Sequence, residues 1–169
     1  MLIAMIVAMD ETGAIGDGNT IPWKLSDDMA RFKQITEGHG NNAVIMGRKT
    51  WSSLPQTFRP LPDRLNIVMS RNSKWKENGS ESAIYPGRAI EIAHSEACEE
   101  CWIIGGSQIY ELFIELVDEI HITRVHAKNS GIIKFPKWNN KDWTEEIIET
   151  KKNDVKNEFD TTYSIWKKS

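Results

Sequence analysis

The stretch "WIIGGSQIYELFIEL", residues 102–116, contains the pattern that decides the fold class. It begins with a short apolar run that ends at two glycines, which is typical of a buried strand. It continues with Ile109, Leu112, Phe113 and Leu116, which are spaced so that they fall on one face of a helix. A buried strand that leads through a glycine turn into an amphipathic helix indicates an α/β protein.

The same strand and helix patterns recur on both sides of this stretch. Short apolar runs bounded by Gly, Pro or Asn predict further buried strands, and the segments between them have helical periodicity. This alternation favours a largely parallel sheet with helices on both faces. The predicted strands are 2–9, 43–46, 65–69, 101–105 and 119–127, and the other predicted helices are 26–37 and 88–97.

The C-terminal part of the chain has a different pattern. Residues 143–150 and 158–166 have strand-like composition, and the polar segment "KKNDVKN" between them is typical of a turn. We therefore expect an antiparallel hairpin added to the parallel sheet. Since no linker or internal repeat divides the chain, residues 1–169 are expected to form one domain.

Composition narrows the class of protein. The chain has 169 residues, is 40% hydrophobic and 27% charged, and carries a formal net charge of -3. An acidic balance argues against a nucleic-acid or membrane-surface partner. No apolar run has the length of a membrane span. The start "MLIAMIVAMDE" lacks a basic region and a cleavage site, so it predicts a first strand rather than a secretory signal.

The two cysteines lie in "CEEC", as Cys98 and Cys101. A redox pair is expected to open a helix after a strand, whereas this pair follows a helical stretch and precedes a strand. The four histidines show no spacing that would complete a zinc site. We therefore expect two reduced thiols, which is typical of a cytoplasmic protein.

Three predicted strands end in glycine or basic residues. Gly47 is followed by Arg48, Lys49 and Thr50; Ser70 and Arg71 end a second strand; Gly105 and Gly106 end a third. Ligands in open α/β sheets bind beyond the carboxyl ends of strands, where glycines and helix N-termini favour phosphate. Each feature alone also fits an ordinary turn, but the combination predicts a polyanionic cofactor.

Two loops offer further candidates. The glycine-rich segment 11–23 does not have the dinucleotide-binding spacing, so it is either a loop beside a site or a passive connection. The segment "FRPLPDRLN", 58–66, holds two arginines in a stiff, proline-rich context. Such an arginine suits a carboxylate ligand, although an exposed arginine is the simpler reading.

The helix predicted over 26–37 begins with two aspartates. Asp27 lines up with Arg31 on the outer face, so the helix dipole and a surface ion pair explain it. Asp28 shares a face with Phe32, and an inward carboxylate needs a partner, because burying it alone costs on the order of several kcal/mol. Spacing alone leaves open whether Asp28 faces a ligand or is half exposed at the helix N-terminus.

Together these stretches resemble the dihydrofolate reductase family, of the bacterial type. The resemblance covers nearly the whole chain and rests on "AIGDGNTIPWKLSDDMARFK", "VIMGRKTW", "RPLPDRLNIVMSR", "IIGGSQIY", "HITRV" and "FP" at 135–136, in family order. It implies an α/β fold: a twisted, mostly parallel eight-stranded sheet with about four flanking helices and a C-terminal antiparallel hairpin. It also implies a cis peptide bond between Gly105 and Gly106.

The resemblance implies an enzyme that reduces 7,8-dihydrofolate to tetrahydrofolate with NADPH and without a metal. Hydride would pass from the nicotinamide C4 to the pterin C6 and a proton would reach N5, in support of one-carbon metabolism and thymidylate synthesis. Antifolate inhibitors would be further ligands. A cytoplasmic monomer without nucleic-acid or membrane partners is the default expectation for such a protein.

The resemblance also implies the site residues. The catalytic set would be Asp28, which accepts two hydrogen bonds from the pterin, Thr123, which hydrogen-bonds Asp28, and Trp23, which holds a water. Substrate-binding residues would be Ile6, Val7, Met29, Phe32, Lys33, Leu54, Arg59, Leu61, Arg64, Ile104 and Tyr110, with Arg64 on the α-carboxylate of the glutamate tail, flanked by Arg59 and Lys33. Cofactor-binding residues would be Ala8, Ile15, Gly16, Asn19, Gly47, Arg48, Lys49, Thr50, Ser70, Arg71, Gly105, Gly106, Ser107, Gln108, Ile109 and Tyr110, with Arg48 and Arg71 on the 2′-phosphate.

The chain departs from the family pattern at several positions. Ile132 stands where many bacterial members carry an Asp that pairs with the closing loop, here 14–23. Ser107 replaces a common third glycine. The loops 37–43 and 53–60 are a few residues longer than usual, which affects the cofactor rim and the entry of the glutamate tail.

Two other functions remain open at this stage. A reductase of a riboflavin-pathway pyrimidine would share the sheet and NADPH, but it would not need Asp28 with Phe32, or Arg64. A folate- or NADPH-binding protein without turnover would bind ligand and leave NADPH unoxidised. The presence of all the expected catalytic residues argues against this second alternative.

Overall fold

Ten strands and four α-helices are present in residues 1–16, 23–128 and 131–169, the part of the chain that this computed structural model describes. The strands are β1 (Leu2–Asp10), β2 (Ala14–Gly16), β3 (Asn42–Gly47), β4 (Arg64–Met69), β5 (Ser80–Ala83), β6 (Glu100–Gly105), β7 (Glu119–Val125), β8 (Ile133–Lys134), β9 (Trp143–Lys151) and β10 (Thr161–Lys168). The helices are α1 (Ser26–Glu37), α2 (Arg48–Ser53), α3 (Pro86–Ser95) and α4 (Ser107–Phe113).

Eight strands form the main sheet, in the order β5-β4-β3-β6-β1-β7-β10-β9. The pairs from β5 to β7 are parallel, and β10 runs antiparallel to both β7 and β9. The predicted fold class is therefore confirmed, including the C-terminal antiparallel hairpin. The sequence patterns did not predict β5, whose sequence "SESA" has no apolar run, nor the two-stranded β2–β8 pair, whose strands have only three and two residues.

Alternate residues of the central strands pack on opposite faces of the sheet. Met5, Ile45 and Ile67 belong to the larger core, on the side of α3 and α4, whereas Val44 and Val68 belong to a core that contains Trp51 of α2. All five of these strand residues are fully buried. Strands that are apolar on both faces are the expected consequence of a parallel sheet covered on both sides.

The buried face of α4 differs from the prediction. Leu112 and Leu116 are 52% and 44% exposed, whereas Ile109, Tyr110 and Phe113 are buried. The helix ends at Phe113, so the residues beyond it no longer follow the helical period. The periodic pattern therefore predicted too long a helix, and it assigned the buried face to residues on a different side of the helix from the one that is buried.

Cys98 and Cys101 are both free thiols, as predicted. Cys101 is buried, and burial raises the pKa of its thiol to about 12. Since the thiolate is the reactive form, this cysteine is inert near neutral pH. Among the described helices, none combines the length and the apolar character that crossing a membrane requires.

Candidate active site

A cavity of about 220 Å³ opens at the carboxyl ends of β1 and β6, beside the start of α1. This is the edge where ligands bind in open α/β sheets. Eleven of the residues predicted for the site line it: Val7, Ala8, Ile15, Trp23, Asp28, Met29, Thr50, Ile104, Gly105, Gly106 and Tyr110. The structure thus brings together residues that are more than 100 positions apart in the chain.

Asp28 lies in the first turn of α1, and its side chain is 20% exposed. The Thr123 hydroxyl donates a hydrogen bond to Asp28 Oδ1 at 2.6 Å. Arg31 Nη1 lies 3.5 Å from the same oxygen. In the described part of the chain, both contacts of this carboxylate go to Oδ1. One oxygen is therefore held by the protein, while the carboxylate also lines the cavity.

The environment of Asp28 raises the pKa of its carboxyl above the usual value. Desolvation by burial is the main cause, because it disfavours the charged form. The hydrogen bond from Thr123 and the charge of Arg31 oppose this effect and favour the carboxylate. A carboxyl group with a raised pKa in a cavity is a candidate for proton chemistry.

Arg31 was predicted to pair with Asp27 on the outer face of the helix, and this prediction is wrong. Its guanidinium contacts Asp28 and also Glu149 of β9 at 3.3 Å, and it lies 4.2 Å from the centre of the Tyr163 ring. Asp27 pairs instead with Lys151. The reason is that β9 and β10 cover this side of α1, so the face that the helical period marks as outer is partly buried.

The predicted apolar substrate residues fall into two groups, those that line the cavity, such as Ile104, and those that belong to the core behind it. Ile6, Leu54, Leu61 and Ile104 are partly buried and pack against the core that contains Trp51. Phe32 is half-buried on α1, and Met29, although 58% exposed, lines the cavity. This arrangement suits a flat, partly apolar ligand with its polar edge towards Asp28.

Arg64 begins β4, and only 3% of its side chain is exposed. Its Nε donates to the carbonyl of Pro62 at 2.8 Å, and Nη1 donates to Thr36 Oγ1 at 2.9 Å. Nη2 lies 3.5 Å from Glu37 Oε1. Burial lowers the pKa of the Arg64 guanidinium, while the nearby Glu37 opposes this shift. The guanidinium is therefore held firmly in one orientation.

Arg59, which the family resemblance would put beside Arg64, makes other contacts. Its Nη2 donates to the carbonyls of Ser52 and Leu54, at 3.0 and 2.8 Å, and Nη1 lies 3.8 Å from Glu77. These contacts fasten the end of α2 to the following loop. Its Nε is buried without a hydrogen-bond partner among the described residues, and the role of Arg59 in substrate binding stays a prediction. Lys33 is exposed on α1.

Gly105 and Gly106 line the cavity at the end of β6, and with the neighbouring Gly47 they form a glycine edge. The peptide bond between Gly105 and Gly106 is cis, as the family resemblance implied. Gly105 has a φ of +115°, and a Cβ built there would lie 3.2 Å from the ring of Tyr110. At Gly47 a Cβ would lie 3.0 Å from Ile109. Larger residues would close the backbone approaches that a bound group needs at this edge.

The described residues among the other predicted cofactor contacts follow the carboxyl ends of β3, β4 and β6. Arg48, Lys49, Arg71 and Gln108 are exposed, and the guanidinium of Arg48 lies 5.4 Å from the centre of the Trp75 ring. The hydroxyls of the two serines already have partners: Ser70 bonds within its own turn, and Ser107 donates to the carbonyl of Lys134. Asn19 lies outside the described residues.

The β2–β8 pair borders the site on the side of the predicted closing loop. Gly16 ends β2, and a Cβ at Gly131 would lie only 2.7 Å from its carbonyl oxygen. Ile132, the residue that departs from the family pattern, is 75% exposed. Residues 17–22 of the loop lie outside the described residues.

Several site residues have no signal in the sequence. Leu25 and Ser53 line the cavity, and Arg31 contacts Asp28. Thr36 and Glu37 both contact Arg64. Their positions on α1, one turn after Phe32 and Lys33, could have indicated a shared face, but only the contacts in the folded chain identify Arg64 as their partner.

The fold and the cavity define a class of protein: an α/β protein whose cavity, at the carboxyl edge of the sheet, is lined in the described residues by one carboxylate and by a glycine edge. Comparison with known proteins identifies the family. The family model for dihydrofolate reductase matches residues 2–168. The chain belongs to the dihydrofolate reductase family, which consists of NADPH-dependent oxidoreductases.

Individual relatives agree with this assignment. Dihydrofolate reductase of Staphylococcus haemolyticus is 37% identical over 166 residues, which cover 98% of this chain and 95% of the relative. Dihydrofolate reductase type 3 of Salmonella typhimurium is 38% identical over 159 residues, 94% of this chain and 93% of the relative. A solved structure of the Enterococcus faecalis reductase, complexed with NADP(H) and RAB-propyl, has a TM-score of 0.88 at 27% identity and covers 99% of this chain and 96% of that one.

Proposed function

We propose that this protein reduces 7,8-dihydrofolate to 5,6,7,8-tetrahydrofolate with NADPH. The observation that carries the proposal is the position of Asp28: among the described residues it is the one carboxylate that lines the cavity, and Thr123 holds its Oδ1. The tetrahydrofolate produced supports one-carbon metabolism and thymidylate synthesis. Antifolate inhibitors are expected to occupy the same cavity.

Asp28 recognises the pterin. A pterin presents an amino group and a ring N–H side by side, and a carboxylate accepts hydrogen bonds from both. The apolar side chains of Ile6, Leu54 and Ile104 contact the ring faces, and Arg64 binds the α-carboxylate of the glutamate tail. Because both ends of the substrate meet a fixed charge, its orientation in the cavity is determined.

The residues at the glycine edge of the cavity fit the cofactor. Gly47, Gly105 and Gly106 leave room for close backbone approach, and the exposed Arg48 and Arg71 suit the 2′-phosphate that distinguishes NADPH from NADH. When bound, NADPH supplies the hydride that reduces C6 of the pterin. The exposed Lys49 and the half-buried Thr50 suit the pyrophosphate.

Asp28 also promotes protonation at N5. Its raised pKa makes the carboxyl a better proton donor near neutral pH than an ordinary aspartate. The proton moves to N5 directly from Asp28 or through a water held near Trp23, and both routes need the same carboxyl. Its opposing contacts with Thr123 and Arg31 keep the carboxylate form available for binding the pterin.

The experiment that tests this function follows NADPH oxidation by absorbance with dihydrofolate as the substrate. We expect turnover with NADPH, and much weaker activity with NADH. NADPH binding without turnover on dihydrofolate would contradict the proposal. In that case, turnover on the riboflavin-pathway pyrimidine would identify the sister reductase, and no turnover on either substrate would identify a binding protein. The monomeric state and the cytoplasmic location remain predictions.

A further inference from the structure

Glu37 occupies an unfavourable place in the fold. It is the last residue of α1, where the helix dipole disfavours a negative charge. Its side chain is 22% exposed, and its Oε1 is buried without a hydrogen-bond partner in the described residues. The charge that compensates this oxygen is that of Arg64, whose Nη2 lies 3.5 Å away.

The nitrogens of the Arg64 guanidinium have two kinds of contact: hydrogen bonds hold Nε and Nη1, whereas Nη2 only faces the carboxylate of Glu37. Nε and Nη1 are fastened by Pro62 and Thr36. The Nη2 edge faces Glu37, and only 3% of the whole side chain is exposed. An external carboxylate that is to form charge-assisted hydrogen bonds with this guanidinium must therefore reach the edge that Glu37 covers.

Binding a second carboxylate at the Nη2 edge of Arg64 while Glu37 stays there is unfavourable in free energy. Like charges held close together at a partly buried site repel, and each also loses part of its attraction to the shared cation. Glu37 can leave, because it lies at the end of a helix, and the exposed Lys33 lies one turn earlier on the same face of α1. The glutamate tail and Glu37 are thus alternative partners of Arg64.

We propose that Glu37 is a specificity-determining residue, an internal anion that occupies Arg64 and must be displaced by the α-carboxylate of the substrate tail. This inference rests on the proposed function, since it assumes that a folate-type ligand binds with its tail at Arg64. As a consequence, a glutamate tail increases the affinity of this protein for a pterin less than it would if Glu37 did not cover Arg64.

The test compares two ligands that differ only in the tail: folate, and pteroate, which lacks the glutamate. Dissociation constants are measured by quenching of tryptophan fluorescence, without NADPH, for wild type and Glu37→Gln. We expect Glu37→Gln to tighten folate binding by about fivefold to tenfold, which corresponds to about 1 kcal/mol or slightly more. Pteroate binding should change much less, so that the ratio of the two constants moves.

Glu146→Gln is the matched control. It removes the same charge from an exposed position on β9, at the opposite edge of the sheet from β4 and β5. It should leave the folate-to-pteroate ratio unchanged. Glu37→Met, which removes the charge and the hydrogen-bonding capacity at similar length, should reproduce the effect of Glu37→Gln. Thermal melts establish that each variant is folded.

Two outcomes of the folate and pteroate titrations would contradict the proposal. If Glu37 only orients the guanidinium, Glu37→Gln will weaken folate binding, and the inference is overturned; an unchanged ratio overturns it as well. These outcomes are distinct from failure of the proposed function, which would show as absent turnover on dihydrofolate. If neither folate nor pteroate binds to wild type at all, both the inference and the proposed function are wrong.

Discussion

Arg31 Nη1 lies 3.5 Å from Asp28 Oδ1, and the same guanidinium stacks on the ring of Tyr163 at 4.2 Å. The Tyr163 hydroxyl lies 2.6 Å from His121 Nδ1, and the other nitrogen of this imidazole lies 2.9 Å from Glu119. A cation is thus fixed beside the carboxylate of the cavity by an aromatic and polar cluster from β7 and β10. Because an adjacent cation favours ionisation, this contact tunes the acidity of Asp28.

We expect Arg31→Gln to raise the pKa of Asp28 further, because desolvation would then be opposed by Thr123 alone. The pH profile of kcat/KM for dihydrofolate should move to higher pH. Arg88→Gln, which removes an exposed arginine on α3 that pairs with Glu91, is the control and should leave the profile in place. An unmoved profile in Arg31→Gln would mean that solvent already screens the Arg31 charge.

Asp28→Asn should lower kcat/KM for dihydrofolate near neutral pH by about 10²-fold to 10⁴-fold, the usual contribution of an acid–base group. Asparagine keeps the shape but loses the charge and the exchangeable proton. The loss should ease as the pH falls, because substrate protonated in solution no longer needs the carboxyl. Asp27→Asn is the matched control on the same helix turn. Full activity of Asp28→Asn would show that the reaction does not need the carboxylate of Asp28.

The same variant should be more stable than wild type near neutral pH. The pKa of Asp28 is raised in the folded state, so ionisation of this group disfavours folding. Wild type therefore loses stability as the pH rises from the unfolded value of 3.8 through the raised folded value, and Asp28→Asn does not. Urea unfolding at several pH values should show the difference between the proteins disappearing below that window. If Asp28→Asn is less stable than wild type at neutral pH, the raised pKa of Asp28 in the folded state is contradicted.

Arg64→Gln should raise KM for dihydrofolate by about tenfold to 100-fold, because a charge-assisted hydrogen bond to the tail contributes about 1.5–3 kcal/mol. The KM for a dihydropterin without the glutamate tail should change little. Since Arg64 also holds Thr36 and Pro62, a thermal melt is needed to separate the loss of binding from a loss of stability. Equal effects on both substrates would exclude Arg64 as the tail receptor.

Gly105→Ala tests the glycine edge. The φ of +115° at this residue strains any side chain, and the added Cβ would lie 3.2 Å from the ring of Tyr110. We expect a loss of about 1–3 kcal/mol in the free energy of unfolding and weaker NADPH binding, measured by fluorescence titration. Gly87→Ala on α3, where the nearest atom of Tyr85 would lie 3.5 Å away, is the control. Unchanged NADPH binding in a folded Gly105→Ala variant would show that the cofactor does not bind at this edge.

Much of the site could be predicted from local patterns. The four-residue spacing of Asp28 and Phe32 indicated a shared helix face, and the glycines after β6 indicated a ligand at the end of that strand. Both kinds of pattern depend on the period of one element and on the direction in which its strand runs. The family resemblance then named Thr123 and Arg64 as partners of this face.

The positions of Arg31, Arg59 and Glu37 needed the tertiary structure. The helical period marked Arg31 as an outer residue, but β9 and β10 pack over it and direct it to Asp28. Arg59 is turned onto the end of α2, and Glu37 covers Arg64.

The sequence by itself determined the order of the main strands and helices and the position of Asp28 on the same face of α1 as Phe32, because these follow from the local geometry of the chain. Only the tertiary structure decided which charges meet across elements. A long, flexible side chain such as arginine can reach several partners, and the packing of distant strands selects among them.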